Sequence, residues 1–558
     1  MKKFRICEGD EIGQKTGEEA EKEEDAEQTA RAKITCKKCM NKAQIERKRY
    51  KMKKLITLVL ALVMCLNLGA CGKKENNPNQ GNDSDTTALK DTITIGHYLE
   101  PISLDPQTNG VLACFMVEIQ IYDTLILEQD GEITPMLAKS WEFLDDTTLR
   151  FTLRDDVYFH NGEKMTAEDV LFTIYRATTD AGSASTFSSV DYDKCKVVDE
   201  YTFDLALKAP NASIFNTLGT PRGSIICKSA YEEMGGDAYA RNPIGTGPYK
   251  FVSWMTGSEI RLVRNEEYWG DKALTENVVY KFITESATRL VELETGGCDI
   301  IDNVQASEVE LLEATDGLKV LMGPSYAYNT ITFNMQDEVL SNPLVRQALA
   351  YATDKAAITE AFYPGTGDTA TGIMPLTIFG SKETAGYPYD VEKAKELLAE
   401  AGYANGLELN FVVQSNEELL RITEAVQNMW KDVGVTCNIT TSEVAAYLAS
   451  GNKLQVAIRN GSASDPSNTL IIYESSFGDR INSNDAKLDE MIAEARTHYD
   501  AAERKAAYNE ICDYLSDACY TIPLVFKYNI LACSDKVSGY EFDPLSWNRM
   551  CYVTVAEN

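Results

Sequence analysis

Histidine is almost absent: His97, His160 and His498 are the only three in 558 residues. Their wide spacing excludes a metal centre built on clustered imidazoles and removes the usual base of a nucleophilic hydrolase. GxSxG, HExxH and Walker segments are also missing, so the chain carries none of the signatures that locate those chemistries. No catalytic residue, metal or cofactor is expected. After residue 70 no stretch approaches 18 consecutive apolar residues, so nothing there should span a membrane. Positive charge is scarce as well: 54 Lys and Arg face 85 Asp and Glu, for a net charge of −31. Residues 1–70 hold 16 Lys and Arg against 11 Asp and Glu, so the remainder stands at −36. Such a chain repels phosphate backbones, which excludes nucleic acid as a partner. The acidity reads as solvation, with attraction of cationic ligands as the alternative.

What is present begins at Met52. Met52-Lys53-Lys54 leads into an apolar run from Leu55 to Leu68, and Leu68-Gly69-Ala70-Cys71 closes it. A charged start, an apolar core and small residues before a cleavage point are the parts of a secretory signal. As a helix the run would rise about 21 Å, short of the roughly 30 Å hydrocarbon core, so it reads as a signal and not as an anchor. The tetrad ending in Cys71 resembles the lipobox of bacterial lipoproteins, in which that Cys is lipidated and becomes the new N-terminus. Residues 1–51 are charge-rich and poor in large apolar residues; they read as a disordered or mis-annotated extension ahead of the true start. Their lone Cys36-Lys37-Lys38-Cys39 is weak evidence for zinc.

The segment from Gly72 to Leu89 is rich in Asn, Gly, Asp, Ser and Thr and reads as a flexible tether. Of 14 cysteines, nine lie beyond Cys71, an odd number without repeating spacing. They are expected mainly as small buried apolar groups.

Within the body, Thr92–Gly96 alternates as a strand, a helix is expected near Cys114–Leu125, and a hairpin turns at Asp145-Asp146. Thr166 with Asp169 is a helix start. Gly245 and Gly247 read as turn residues before a strand at Tyr249. Helices are predicted over Leu344–Thr353, Val391–Ala401 and Leu419–Val433, with strands over Leu407–Val413 and Val435–Ile439. One helix is expected over Ala486–Leu515 and a short strand over Thr521–Phe526. This β/α alternation indicates an α/β fold.

Five segments together resemble one family, the large extracytoplasmic solute-binding proteins of peptide and nickel ABC transporters. They are Ala138–Trp141 with Leu149–Gly162, Asn242–Tyr249, Phe333-Asn334 with Asn342–Leu349, Tyr389–Tyr403, and Ile522–Leu524. The resemblance implies a two-lobe periplasmic-binding-protein-like fold with a hinge, a ligand cleft and an inserted domain. The expected organisation is a signal peptide at 52–70 and a tether at 71–90. Lobe I follows at 91–133, interrupted by an inserted domain at 134–241, and resumes at 242–335. Lobe II occupies 336–520, and residues 521–558 return to lobe I. The implied function is that of a monomeric receptor, lipid-anchored at Cys71 on the outer face of a Gram-positive cell membrane. It would deliver a peptide or peptide-like small solute to an ABC permease with its ATPases. A binding protein for an anionic small molecule, an oligosaccharide or a metal chelate, or a non-transport signalling receptor, is the alternative.

Peptide binders of this family carry Trp, then an Asp that pairs with the peptide amine, then Asp-Pro. Setting Asp465-Pro466 on that pattern places Ser462 where the Asp would stand and Arg459 where the Trp would stand. A Ser cannot neutralise a buried ammonium group, which puts N-terminal capture in question. Arg459 is a candidate for an anionic ligand group, with a structural ion pair as the alternative. Asn460 and Asp465 are further candidates, Asp465 with a turn cap as its alternative. Tyr326, Tyr328 and Asn329 precede the first crossing between lobes and Tyr528 lies at the second; all four are candidates for the cleft, or for packing beneath the hinge.

Overall fold

A computed structural model of the chain describes residues 88–129, 132–443, 446–447, 454–477 and 481–557. Cys71, its signal and most of the tether lie outside the described residues. Thr86–Asn558 forms one compact unit.

Strand β1 (Thr92–His97) alternates in burial over Thr92–Ile95 and is wholly buried from Ile95 to His97. The helix that follows, Leu112–Ile121, is shorter than its sequence predicts. Tyr122 turns extended, and the freed Ile121 carbonyl accepts from Gly247 N at 2.8 Å. A Cβ on Gly245 or Gly247 would come within 2.1 or 2.5 Å of the Ile121 backbone. These glycines are therefore required by close approach of two backbones rather than by a turn. Strands β2 (Ile126–Gln129) and β3 (Glu132–Pro135) pair as a hairpin.

A four-stranded antiparallel sheet comes next, built from β4 (Ala138–Asp145), β5 (Thr148–Leu153), β6 (Lys196–Asp199) and β7 (Thr202–Ala206) in the order β4-β5-β7-β6. Thr166 and Asp169 close a capping box on helix Ala167–Thr179. The chain then forms β8 (Tyr249–Met255), β9 (Glu259–Arg264), β10 (Asn277–Phe282) and β11 (Ile300–Ile301). Strand β12 (Leu318–Phe333) leads into β13 (Gly367–Thr369), β14 (Leu407–Gln414), β15 (Val435–Ser442) and β16 (Val456–Ser462). Strand β17 (Thr521–Ser534) returns.

These last ten strands and β1 share one mixed sheet, ordered β15-β14-β16-β12-β17-β11-β1-β10-β9-β8 with β13 alongside β17. Two large cores sit at its two ends. One combines residues from Ile93 to Ile300 with Cys533–Val555; the other combines residues from Ile331 to Val525. In the second, Trp430 is fully buried and stacks on Phe333 and Phe411. The antiparallel β12–β17 pair runs between the cores, with register shifts between Pro324 and Tyr328 and between Asn329 and Thr330. Pairing along all of β12 explains why β17 extends well past Phe526.

The helices of the second half begin where caps dictate: Asn342, Asp354, Asp390 and Asn416 each accept a backbone N–H. The single helix expected over Ala486–Leu515 is instead two, Ala486–Thr497 and Ala501–Ala518. Asp500 breaks it by accepting from Ala502 N and Glu503 N, which starts the second helix in a new direction. The nine cysteines from Cys114 to Cys551 are free thiols, eight of them buried and Cys195 half-buried.

Candidate functional site

The two lobes touch through the segment that follows β7. Ser213 Oγ lies 2.7 Å from Ser467 Oγ and accepts from Arg504 Nη2 at 3.0 Å. Ala212 N donates to Arg496 O, and Asn216 Nδ2 reaches Ser464 Oγ at 3.3 Å. Tyr499 packs its ring on Phe143 and Phe215. Asp465 caps Ser467 N and pairs with Arg504, so its carboxylate is committed inside this junction.

Beside the junction lies a cavity of about 270 Å³. Lobe I supplies Ile119 and Tyr122 at the end of the first helix, and Glu128 on β2. Asn216 and Thr220 come from the segment after β7, while Asp543, Trp547 and Arg549 come from the C-terminal loop. The opposite wall is Tyr326, Thr377, Phe379 and Ser464. Asn216 Nδ2 donates to Glu128 Oε2 at 2.8 Å. Asp543 Oδ1 accepts from Leu545 N and Trp547 N, which shapes the loop. A concave wall that combines apolar rings with placed polar and charged groups can hold a small polar molecule.

Behind Arg549 stands Asp123, fully buried. Its carboxylate accepts from Thr246 Oγ1, Tyr268 Oη, Trp269 Nε1 and Arg549 Nη1, at 2.7–3.1 Å. Burial works against the charge on Arg549, but the Asp123 carboxylate outweighs it and holds the guanidinium above its ordinary value.

The sequence candidates fall in different places. Tyr326 lines the cavity. Tyr328 is buried against Phe526 and Ala370, its ring lying over Gly461. Asn329 is fully buried beneath the crossing strands and donates to Tyr363 Oη, which also bonds Glu418. Burial opposes ionisation of Glu418, yet Lys527 and Tyr363 keep its carboxyl below the usual value. Arg459, opposite Thr330 on β16, is half-buried near Tyr328 and Tyr473 and makes no hydrogen bond or ion pair among the described residues. It does not line the cavity. Asn460 is exposed and accepts from Gln414, and Ser462 is exposed. Tyr528 donates to Asp368 Oδ1. Sequence reasoning missed Arg549, Trp547, Asp543, Glu128, Asn216 and Phe379. A usable signal was Trp547-Asn548-Arg549, an aromatic and an arginine together in a polar C-terminal loop.

Residues 132–482 match the sequence model of the bacterial extracellular solute-binding proteins, family 5 Middle, and the chain belongs to that family. It is 30% identical over 477 residues to heme-binding protein A of Haemophilus influenzae, covering 78% of this chain and 87% of the relative. The dipeptide-binding protein of Escherichia coli is 27% identical over 467 residues, covering 76% and 87%. Among solved structures, the ABC transporter-associated periplasmic binding protein DppA from Helicobacter pylori, in complex with the peptide STSA, superimposes with a TM-score of 0.71 at 27% identity. That match covers 85% of this chain and 99% of the other. The chain is thus a two-lobe solute-binding component of the kind that serves ABC importers outside the cytoplasm, and not an enzyme. Among the described residues no helix is long and apolar enough to cross a membrane.

Proposed function

We propose that the protein captures a peptide or peptide-like small solute in the cavity between its lobes and delivers it to an ABC permease, working as a monomer tethered to the outer face of the membrane through lipid on Cys71. The observation that carries the ligand reading is the cavity itself. It has aromatic walls from Tyr326, Phe379 and Trp547, and groups of both charges in Glu128, Asp543 and Arg549. A short peptide offers an amine, a carboxylate and apolar side chains, which such a wall can meet together. The size, near the lower end of the usual range for ligand sites, favours two or three residues over longer peptides. The dipeptide- and peptide-bound relatives support the same class.

A thermal-shift screen of di- and tripeptides tests the ligand. A binder at 100 times its Kd should stabilise the protein by about 2.7 kcal/mol; no shift across the panel would refute the peptide reading. Substituting Cys71→Ser should move the protein from the detergent phase to the aqueous phase in a partition experiment. Unchanged partition would refute the anchor.

A further inference from the structure

Resting on the cavity as the ligand site, we infer that Arg549 is the carboxylate anchor of that site, gripping the ligand's acid group from lobe I while its apolar body lies against Tyr326 and Phe379. The arginine is only partly used within the protein. Nη1 alone serves Asp123 and Tyr268, at 2.7 and 3.2 Å. Nε and Nη2 meet no acceptor among the described residues, and about a fifth of the side chain stays exposed at the cavity wall (20%). One edge of a planar fork is therefore held and the rest is presented, which is the arrangement that receives a carboxylate.

Asp123 pairs with this cation through Nη1 alone. Thr246, Tyr268 and Trp269 already satisfy its oxygens with three neutral donors, so its charge is spread over four partners. Its role is to fix the guanidinium in place. The loop that carries Arg549 is itself pinned before any ligand arrives. Gln120 Nε2 donates to Asn548 O, Gln120 Oε1 accepts from Met550 N, and Asn529 Nδ2 donates to Asp543 O and Ser546 Oγ. A donor fixed beforehand binds without ordering cost. The acid could be the C-terminus of a peptide or the carboxylate of a non-peptide solute; the chemistry at Arg549 is the same.

Calorimetric titrations separate these sources. The probes are the dipeptides Ala-Phe and Ala-Leu, their C-terminal amides, and hippurate and succinate as non-peptide acids. The proteins are the wild type, Arg549→Gln and Arg549→Lys; the lysine variant keeps a cation beside Asp123 if the glutamine variant fails to fold. The wild type should bind acids about 10- to 100-fold tighter than amides. Arg549→Gln should lose that preference, and Arg549→Lys, which keeps the charge without the fork, should retain only part of it. Equal affinity for acid and amide in the wild type, a preference that survives in Arg549→Gln, or one undiminished in Arg549→Lys overturns the anchor and leaves peptide capture standing. Arg549-dependent binding of hippurate or succinate with no binding of peptides overturns peptide capture and keeps the anchor. Binding of no acid at all overturns both.

Discussion

Arg504 joins the interior of lobe II to the other lobe, and replacing it with methionine tests how much the junction depends on charge. The two partners of the pair are almost entirely enclosed, Arg504 being 6% exposed and Asp465 2%. Methionine keeps an apolar stem but loses the guanidinium placed over the Phe379 and Tyr508 rings, leaves Asp465 with only the Ser467 N–H, and removes the bond to Ser213. A carboxylate stranded in this way costs about 3–5 kcal/mol. Asp465→Asn retains a side-chain oxygen for the cap and strands the guanidinium instead. The double variant Asp465→Asn/Arg504→Met buries no charge, so its loss should fall at least ~1 kcal/mol short of the sum of the singles. Urea unfolding followed by circular dichroism and by tryptophan emission measures all three, with Trp430 among the emitters inside the lobe II core. A loss below about 1 kcal/mol for Arg504→Met, or additive single effects, would refute the account of the junction.

Glu118, fully buried and bonded to Asn109, is lifted by burial to about 8 from 4.5. Folding therefore takes up a proton between those values, so the stabilisation is complete below about pH 4.5 and is lost as pH rises through 8. Stability should fall across that window with a slope approaching ~1.4 kcal/mol per pH unit from this group, and Glu118→Gln should remove that component; an unchanged slope in the variant would rule it out. Gly247→Ala places a Cβ 2.5 Å from the Ile121 carbonyl carbon and should destabilise by about 1–3 kcal/mol, with weaker ligand binding because Tyr122 moves. Wild-type melting and binding in that variant would mean that the close approach is not required.

Local structure was legible where the signal was local. Alternation marked β1, the Thr166 cap with Asp169 marked a helix start, and the helix predicted over Val391–Ala401 is present as Val391–Glu400. The errors were of competing local rules: the polar run across His498–Asp500 is helix-compatible by composition, yet the Asp500 side chain offers the backbone a better partner as a cap. The family resemblance carried the architecture. The cavity was hardly legible, because its walls come from residues as far apart as Ile119, Tyr326 and Arg549, brought together only by the finished sheet. Of the tyrosines at the crossing, alternation says that Tyr326 and Tyr328 share a face of an ideal strand. The register shift after Pro324 breaks that rule, sending Tyr326 to the cavity and Tyr328 under Phe526.

The segmented lobe has a consequence for the order of assembly. The core built on Ile331–Val525 belongs to one uninterrupted stretch, so it can condense as soon as that stretch has emerged. The other core waits for Cys533–Val555, which follow lobe II in the chain. The binding wall waits for the same segment, since Trp547 and Arg549 lie within it. A chain cut before Cys533 would thus present a formed lobe II and an unfinished receptor, so this segment acts as a completeness check on the molecule.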